Sequence, residues 1–300
     1  MYNKKKWIHR LLCVGLLLIG YPLKADGALV GPFLIDSAET AEPKDFALSV
    51  NPQLFIKQGN FDEEGNRQAL GGNDRWLQFY TLFKPVYGVF NDFEISLDLP
   101  VQYSWATQTD RSSDGGWVGD IALNGKYRFL KNGEEWFKPA MALTARIKFP
   151  TGKYEGLSES KLGTDRTGTG SYDYLIGLNV SKALENWALH FNLLYGWSSD
   201  ATIDGVRTKQ GNLWNYNLGA EFSIHKNFSV LLELVGVEQG KIEENGLALD
   251  RSELRSLSIV PALGWQMNEK TFLIVGCSIS LLGKNAEYGV APTLLLNYNF

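Results

Sequence analysis

Eleven ionisable side chains carry whatever chemistry this chain has: Glu94, Asp98, Asp120, Lys126, Arg128, Arg146, Lys148, Asp173, His190, Glu221 and Glu233. Each sits on the polar side of a stretch in which polar and apolar residues alternate. Groups segregated in this way can line a water-filled path and select what crosses it. Lys126, Arg128, Arg146 and Lys148 cluster on two consecutive stretches, whereas Glu221 and Glu233 lie on stretches distant in sequence. If the two sets face each other, a basic wall opposes an acidic wall and the field between them filters polar solutes. Alternatively the charges pair with one another and fill the interior, because isolated buried charge is costly. The sequence leaves both readings open.

Catalysis finds little support. A hydrolase in a membrane barrel needs a base within reach of a nucleophile, two residues apart on one strand face. His190 is followed two residues on by Asn192 and His225 by Asn227; Ser223 and His225 have the reverse order at a turn. Three His and two Cys make no clustered metal site of the usual kind. "GTDRTGTG" lacks the Lys and following helix of a phosphate loop. "DEEGN" and "DGGWVGD" lack the fixed ligand spacing of a calcium loop and read as solvated acidic turns. No cofactor, metal or catalytic residue is expected.

The elements that position these groups are strands. In "FEISLDLPVQYSW", Phe93, Ile95, Leu97, Leu99, Val101, Tyr103 and Trp105 share one face, and Glu94, Ser96, Asp98, Pro100, Gln102 and Ser104 share the other. That run exceeds the ~10 residues a tilted strand needs to cross a bilayer. About twelve such segments recur: 45–58, 74–86, 91–105, 116–130, 136–150, 170–182, 186–198, 212–225, 227–238, 255–268, 270–282 and 287–300. Connections alternate between short turns ("KNGEE", "KALEN", "HKN", "NEK") and long polar loops ("QGNFDEEGNRQALGG", "TQTDRSSDGG", "TGKYEGLSESKLGTDRTGTG"). Short turns at one end and long loops at the other mark an outer-membrane barrel. The fold expected is therefore all-β: a single transmembrane, antiparallel, up-and-down barrel spanning residues 45–300.

The termini agree. Lys4, Lys5, Lys6 and Arg10 precede the apolar Leu11–Gly20, and Ala25 offers a small-residue cleavage site, so residues 1–25 read as an export signal that is removed. Removal takes away Lys4, Lys5, Lys6, Arg10 and Lys24 from a chain of net charge −4, which argues against a nucleic-acid partner. Cys13 leaves with the signal, and Cys277 then has no disulfide partner. Residues 26–44 precede the first strand as a periplasmic tail or as a small stopper in the lumen, with the tail favoured. At the other end, Leu294, Leu296, Tyr298 and Phe300 put an apolar face on a closing strand. An ending of this type resembles the sorting signal read by the barrel-assembly machinery, with Phe300 as its last residue.

Three stretches carry a family resemblance: "GDIALNGKYRFL" (119–130), "PAMALTARIKFPTG" (139–152) and "GTGSYDYLIGLNVSK" (168–182). In this order they resemble the outer-membrane transporter family named for a phenol meta-pathway degradation protein. The resemblance implies a β-barrel that passes small, often hydrophobic molecules, and no catalytic residues. The function expected is a passive outer-membrane channel for small molecules, hydrophobic or aromatic ones among them, in contact with outer-membrane lipid and lipopolysaccharide. The alternatives are a structural or surface-interaction barrel with a closed lumen and, less favoured, an outer-membrane hydrolase.

Overall fold

A computed structural model of the chain describes residues 29–109 and 111–300. The export signal assigned to residues 1–25 lies outside the described residues. Twelve crossings form one antiparallel sheet: β1 (Phe46–Phe61), β2 (Arg75–Phe90), β3 (Phe93–Gln108), β4 in two pieces (Arg111–Val118 and Ala122–Leu130), β5 (Ala140–Lys148), β6 (Asp173–Ala183), β7 (Trp187–Ser198), β8 (Leu213–His225), β9 (Phe228–Gln239), β10 (Leu254–Asn268), β11 (Thr271–Lys284) and β12 (Glu287–Asn299). Each pairs with its neighbours in sequence, and β12 pairs with β1 to close the sheet. Among the described residues no helix is long and apolar enough to cross a membrane.

Closure rests on the two terminal strands. Ala47 pairs with Asn299, Leu48 with Tyr298, Ser49 with Asn297 and Val50 with Leu296, and the Phe300 N–H donates to the Phe46 carbonyl at 2.9 Å. The Phe300 ring lies 5.1 Å from that of Phe46 and 4.8 Å from that of Tyr298. The last residue is thus fastened to the first strand on both backbone and side chain.

The alternation sorts the two faces. On β3, Ile95, Leu97, Val101, Tyr103 and Trp105 are exposed, and Glu94, Ser96, Asp98 and Ser104 are buried. A protein in water does not turn apolar residues out and charges in on strand after strand; a barrel in lipid does. Aromatic pairs gird both rims. Trp187–Phe222 and Phe228–Trp265 lie at the end carrying the short turns, and Tyr195–Trp214 and Tyr174–Trp197 at the other. Pro52, Pro85, Pro100, Pro261 and Pro292 lie inside strands, where each removes one ladder donor.

The long-loop end departs from expectation in two places. "TQTDRSSDGG" is not a loop: β3 runs on to Gln108 and pairs with Arg111–Val118, so the ladder continues past the apolar belt as a polar hairpin. Above β7–β10, Asp200–Ile203, Val206–Lys209, Glu243–Glu244 and Leu247–Ala248 form a separate four-stranded sheet. Its hairpins turn at Asp204–Gly205 (φ 48° and 83°) and Asn245–Gly246 (φ 50° and 82°), where both central residues need positive φ.

Leu218, on the outer face of β8 and 55% exposed, separates lipid from water as its surroundings. Leu218→Arg is expected to destabilise the folded barrel by about 2–4 kcal/mol in lipid. Thr202→Arg, in the outer sheet, should stay within about 0.5 kcal/mol. Reversible denaturant unfolding in lipid vesicles checks both.

Candidate functional site

The interior is not empty. Of the two placements weighed for residues 26–44, the described part runs inside the barrel and does not hang below it. Val30, Phe33, Ile35 and Ala38 are buried, and Val30 and Phe33 pack with Leu231, Val260, Ala262 and Ile274. The segment has no strand or helix of its own, so its backbone donors need side-chain acceptors. Glu221 on β8 supplies the first pair: the Val30 N–H donates to Oε1 at 2.7 Å and the Gly31 N–H to Oε2 at 3.1 Å. Glu233 on β9 repeats the grip on the Phe33 N–H (2.5 Å) and Leu34 N–H (2.9 Å). Asn192 on β7 accepts from the Asp36 N–H at 3.0 Å and donates to its carbonyl at 2.8 Å. Ser181 on β6 accepts from the Ala38 N–H at 2.9 Å, and Glu94 on β3 from the Ala41 N–H at 2.7 Å.

Glycines on the same wall provide the depth. A Cβ on Gly264 would stand 2.5 Å from Val30 Cγ2, one on Gly276 2.7 Å from Phe33 Cε1, and one on Gly219 2.6 Å from Ile35 Cδ1. Val30, Phe33 and Ile35 therefore sit in notches where side chains are missing, and any larger residue would push the segment off the wall.

The cations are neutralised close to where they stand. Lys126 lies 3.0 Å from Glu94 and 3.3 Å from Asp36, and donates to the Ser37 carbonyl at 3.1 Å. Arg128 bridges Glu39 of the inner segment and Asp92 of the turn before β3. The Arg128 hydrogen bond holds the Asp92 carboxyl below the usual carboxylate range. Arg146 pairs with Asp98 at 3.1 Å. Lys148 pairs with Asp120 at 3.1 Å and with Asp173. Asp120 also accepts the Gly152 and Thr169 N–H groups, both at 2.9 Å, which ties the 149–172 loop to the barrel mouth. Of the two electrostatic readings, the geometry therefore shows pairing. Among the described residues no basic wall confronts an acidic wall, because Glu221 and Glu233 face backbone donors of the inner segment.

His190 is buried, and its Nδ1 lies 2.8 Å from Ser181 Oγ on the adjacent strand. The base–hydroxyl spacing expected along one strand does not find this pair, which forms across two. That Oγ is capped by the Ala38 N–H. Ser223 Oγ donates to the His225 carbonyl at 3.2 Å and makes no pair with its ring. Among the described residues no group of three metal-ligand side chains comes together.

The other side of the interior is open. A cavity of about 640 Å³ lies between the inner segment and β1 and β2, lined by Leu34, Asn51, Gln53, Tyr80, Leu82 and Lys84 among others. Toward the long-loop end a second, of about 390 Å³, is lined by Phe55, Gln78, Ser258, Ser278 and Ser280. Leu34, Gln53 and Tyr80 border both. A third, of about 340 Å³, lies beside Arg146, Lys148 and Asp173.

Residues 87–289, more than half of the chain, match the family model described as the MetA-pathway of phenol degradation. Among solved structures the chain is similar to the COG4313 outer membrane channel from Pseudomonas putida F1, at TM-score 0.73 and 16% identity over 91% of this chain and 100% of that one. It is also similar to the β domain of the Bordetella autotransporter BrkA, at TM-score 0.50 and 8% identity over 85% of this chain and 100% of that one. No curated protein matches the sequence. The fold is that of outer-membrane barrels and, with the apolar belt, places the chain in the bacterial outer membrane.

Replacing Glu221 and Glu233 together by Gln keeps the shape and puts an NH2 donor where one oxygen of each carboxyl accepts a backbone N–H. A buried N–H left without its acceptor costs ~1–3 kcal/mol. The double variant is expected to expose residues 29–44 to added protease while the barrel itself stays resistant. Mass spectrometry of the cleaved N-terminus checks this.

Proposed function

Because this chain belongs to the family described as the MetA-pathway of phenol degradation, whose model covers residues 87–289, we propose that it is a passive outer-membrane channel for small molecules. The observation that carries the reading is the pair of cavities flanking Leu34, Gln53 and Tyr80, which leaves unfilled space along one wall of a closed barrel. Eight-stranded barrels are filled by their own side chains and sixteen-stranded ones leave a channel. Twelve strands leave room for the inner segment and for a path beside it.

The inner segment narrows that path. It occupies the wall formed by β6 to β11, fastened by Glu221, Glu233, Asn192 and Ser181. Solutes pass between it and the facing strands β1 and β2, without energy coupling. The eleven inward ionisable groups line and brace the lumen around it. The Ser181–His190 pair lies under Ala38, so substrate has no direct approach to that hydroxyl.

Current across a planar bilayer tests the proposal. The mature protein is expected to give small unitary conductances, and deletion of residues 29–37 to raise them severalfold. Zero conductance from both forms, with no solute uptake by vesicles, would instead support the closed surface-interaction barrel.

A further inference from the structure

From the chemistry of the open wall we infer the class of solute: the path beside the inner segment is selective for uncharged, hydrogen-bonding small molecules, and Gln53 and Tyr80 set that selectivity together with Leu34. This rests on the channel reading and specifies it.

Three observations carry it. The first is where the charges are. Glu94, Asp98, Asp120, Lys126, Arg128, Arg146, Lys148 and Asp173 are tied in ion pairs, and Glu221 and Glu233 are held by backbone N–H groups. None of these side chains lines the cavity on the long-loop side, which among the described residues has no carboxylate, amine or guanidinium on its walls. An ion entering it gives up hydration and meets no counter-charge, a cost an uncharged solute avoids.

The second is what replaces charge there. Gln53, Gln78, Ser258, Ser278 and Ser280 offer amides and hydroxyls, and Phe55 and Tyr80 offer ring faces. Amides and hydroxyls both donate and accept, so they replace the water around a neutral polar solute in either sense. The Gln53 side chain is oriented by donation from Nε2 to Asn51 Oδ1 at 2.8 Å, and Asn51 in turn donates to the Leu294 carbonyl at 2.7 Å. Its carbonyl oxygen is left to accept from a solute.

The third is the shared border. Leu34, Gln53 and Tyr80 bound both cavities, so a solute going from one to the other passes them. Lys84, with Asp36 and Glu39, enters only the wider cavity on the short-turn side. Asp36 and Glu39 are there already paired with Lys126 and Arg128. Both cavities fall within the roughly 300–1,000 Å³ of small-molecule sites.

The experiment measures flux of radiolabelled arabinose, glucosamine and gluconate from vesicles carrying the full mature chain. These sugars share a size range and differ in charge, and none crosses a bare bilayer quickly. Arabinose flux is expected to exceed that of either ion by at least about tenfold. Gln53→Ala should raise arabinose flux and Gln53→Trp should lower it; a gain for arabinose that leaves gluconate and glucosamine unmoved cannot come from leakage through a misfolded protein. Equal flux of all three sugars would overturn the selectivity and leave the channel standing. Arabinose flux unmoved by both Gln53 variants would overturn the route. Flux of none of them would remove the channel reading itself.

Discussion

Hydrocarbon offers no hydrogen-bond partner, and most of this structure follows from that. Every backbone N–H and C=O at membrane depth must find a partner within the protein, so the sheet has to close. Closure gives Phe300 its place: it bonds to the carbonyl of Phe46 and packs on its ring. It also explains the long uninterrupted alternation, since one face meets acyl chains and the other must hold everything polar. The inward charges then need partners, and they find them across one or two strands: Lys126 with Glu94, Arg146 with Asp98, Lys148 with Asp120.

The same demand shapes the inner segment. A chain without secondary structure inside a barrel carries a row of unpaired amides. Glu221, Glu233, Asn192 and Ser181 meet that row nearly residue by residue, while Gly219, Gly264 and Gly276 make space for its apolar side chains. The interior becomes two-sided. One wall is occupied and electrostatically settled; the opposite side, on β1 and β2 with the long-loop ends of β10 to β12, is free and carries amides, hydroxyls and rings. In this division the acidic residues hold a piece of the protein, and selection falls to residues without charge.

How much of this was legible in the sequence differed by element. Strand periods were plain: segment 91–105 became Phe93–Gln108 and segment 186–198 became Trp187–Ser198, because a lipid-facing strand must alternate over its full length. The "TQTDRSSDGG" hairpin has the composition of a loop, since beyond the apolar belt neither face needs to be apolar and the period disappears while the ladder persists. The outer four-stranded sheet leaves one signal in the sequence, the Asp204–Gly205 and Asn245–Gly246 turn dipeptides, but its strands of two to four residues are too short to show a period. At the site, the inward placement of charges followed from the period, but their partners did not, because pairing depends on register between strands. Least legible was the inner segment. Val30 bonds to a residue 191 positions away, and the glycine notches that receive it lie on strands whose alternation gives no hint of a missing side chain's purpose.

The claim beneath all of this is that the sheet is sealed between its first and last strands. Amide hydrogen exchange of the protein in lipid nanodiscs, resolved to single residues, reads it directly. The account predicts that Ala47–Val50 and Leu296–Asn299 exchange as slowly as the paired positions of β8 and β9. Exchange of those seam amides within minutes, while β8 and β9 stay protected for days, would contradict it.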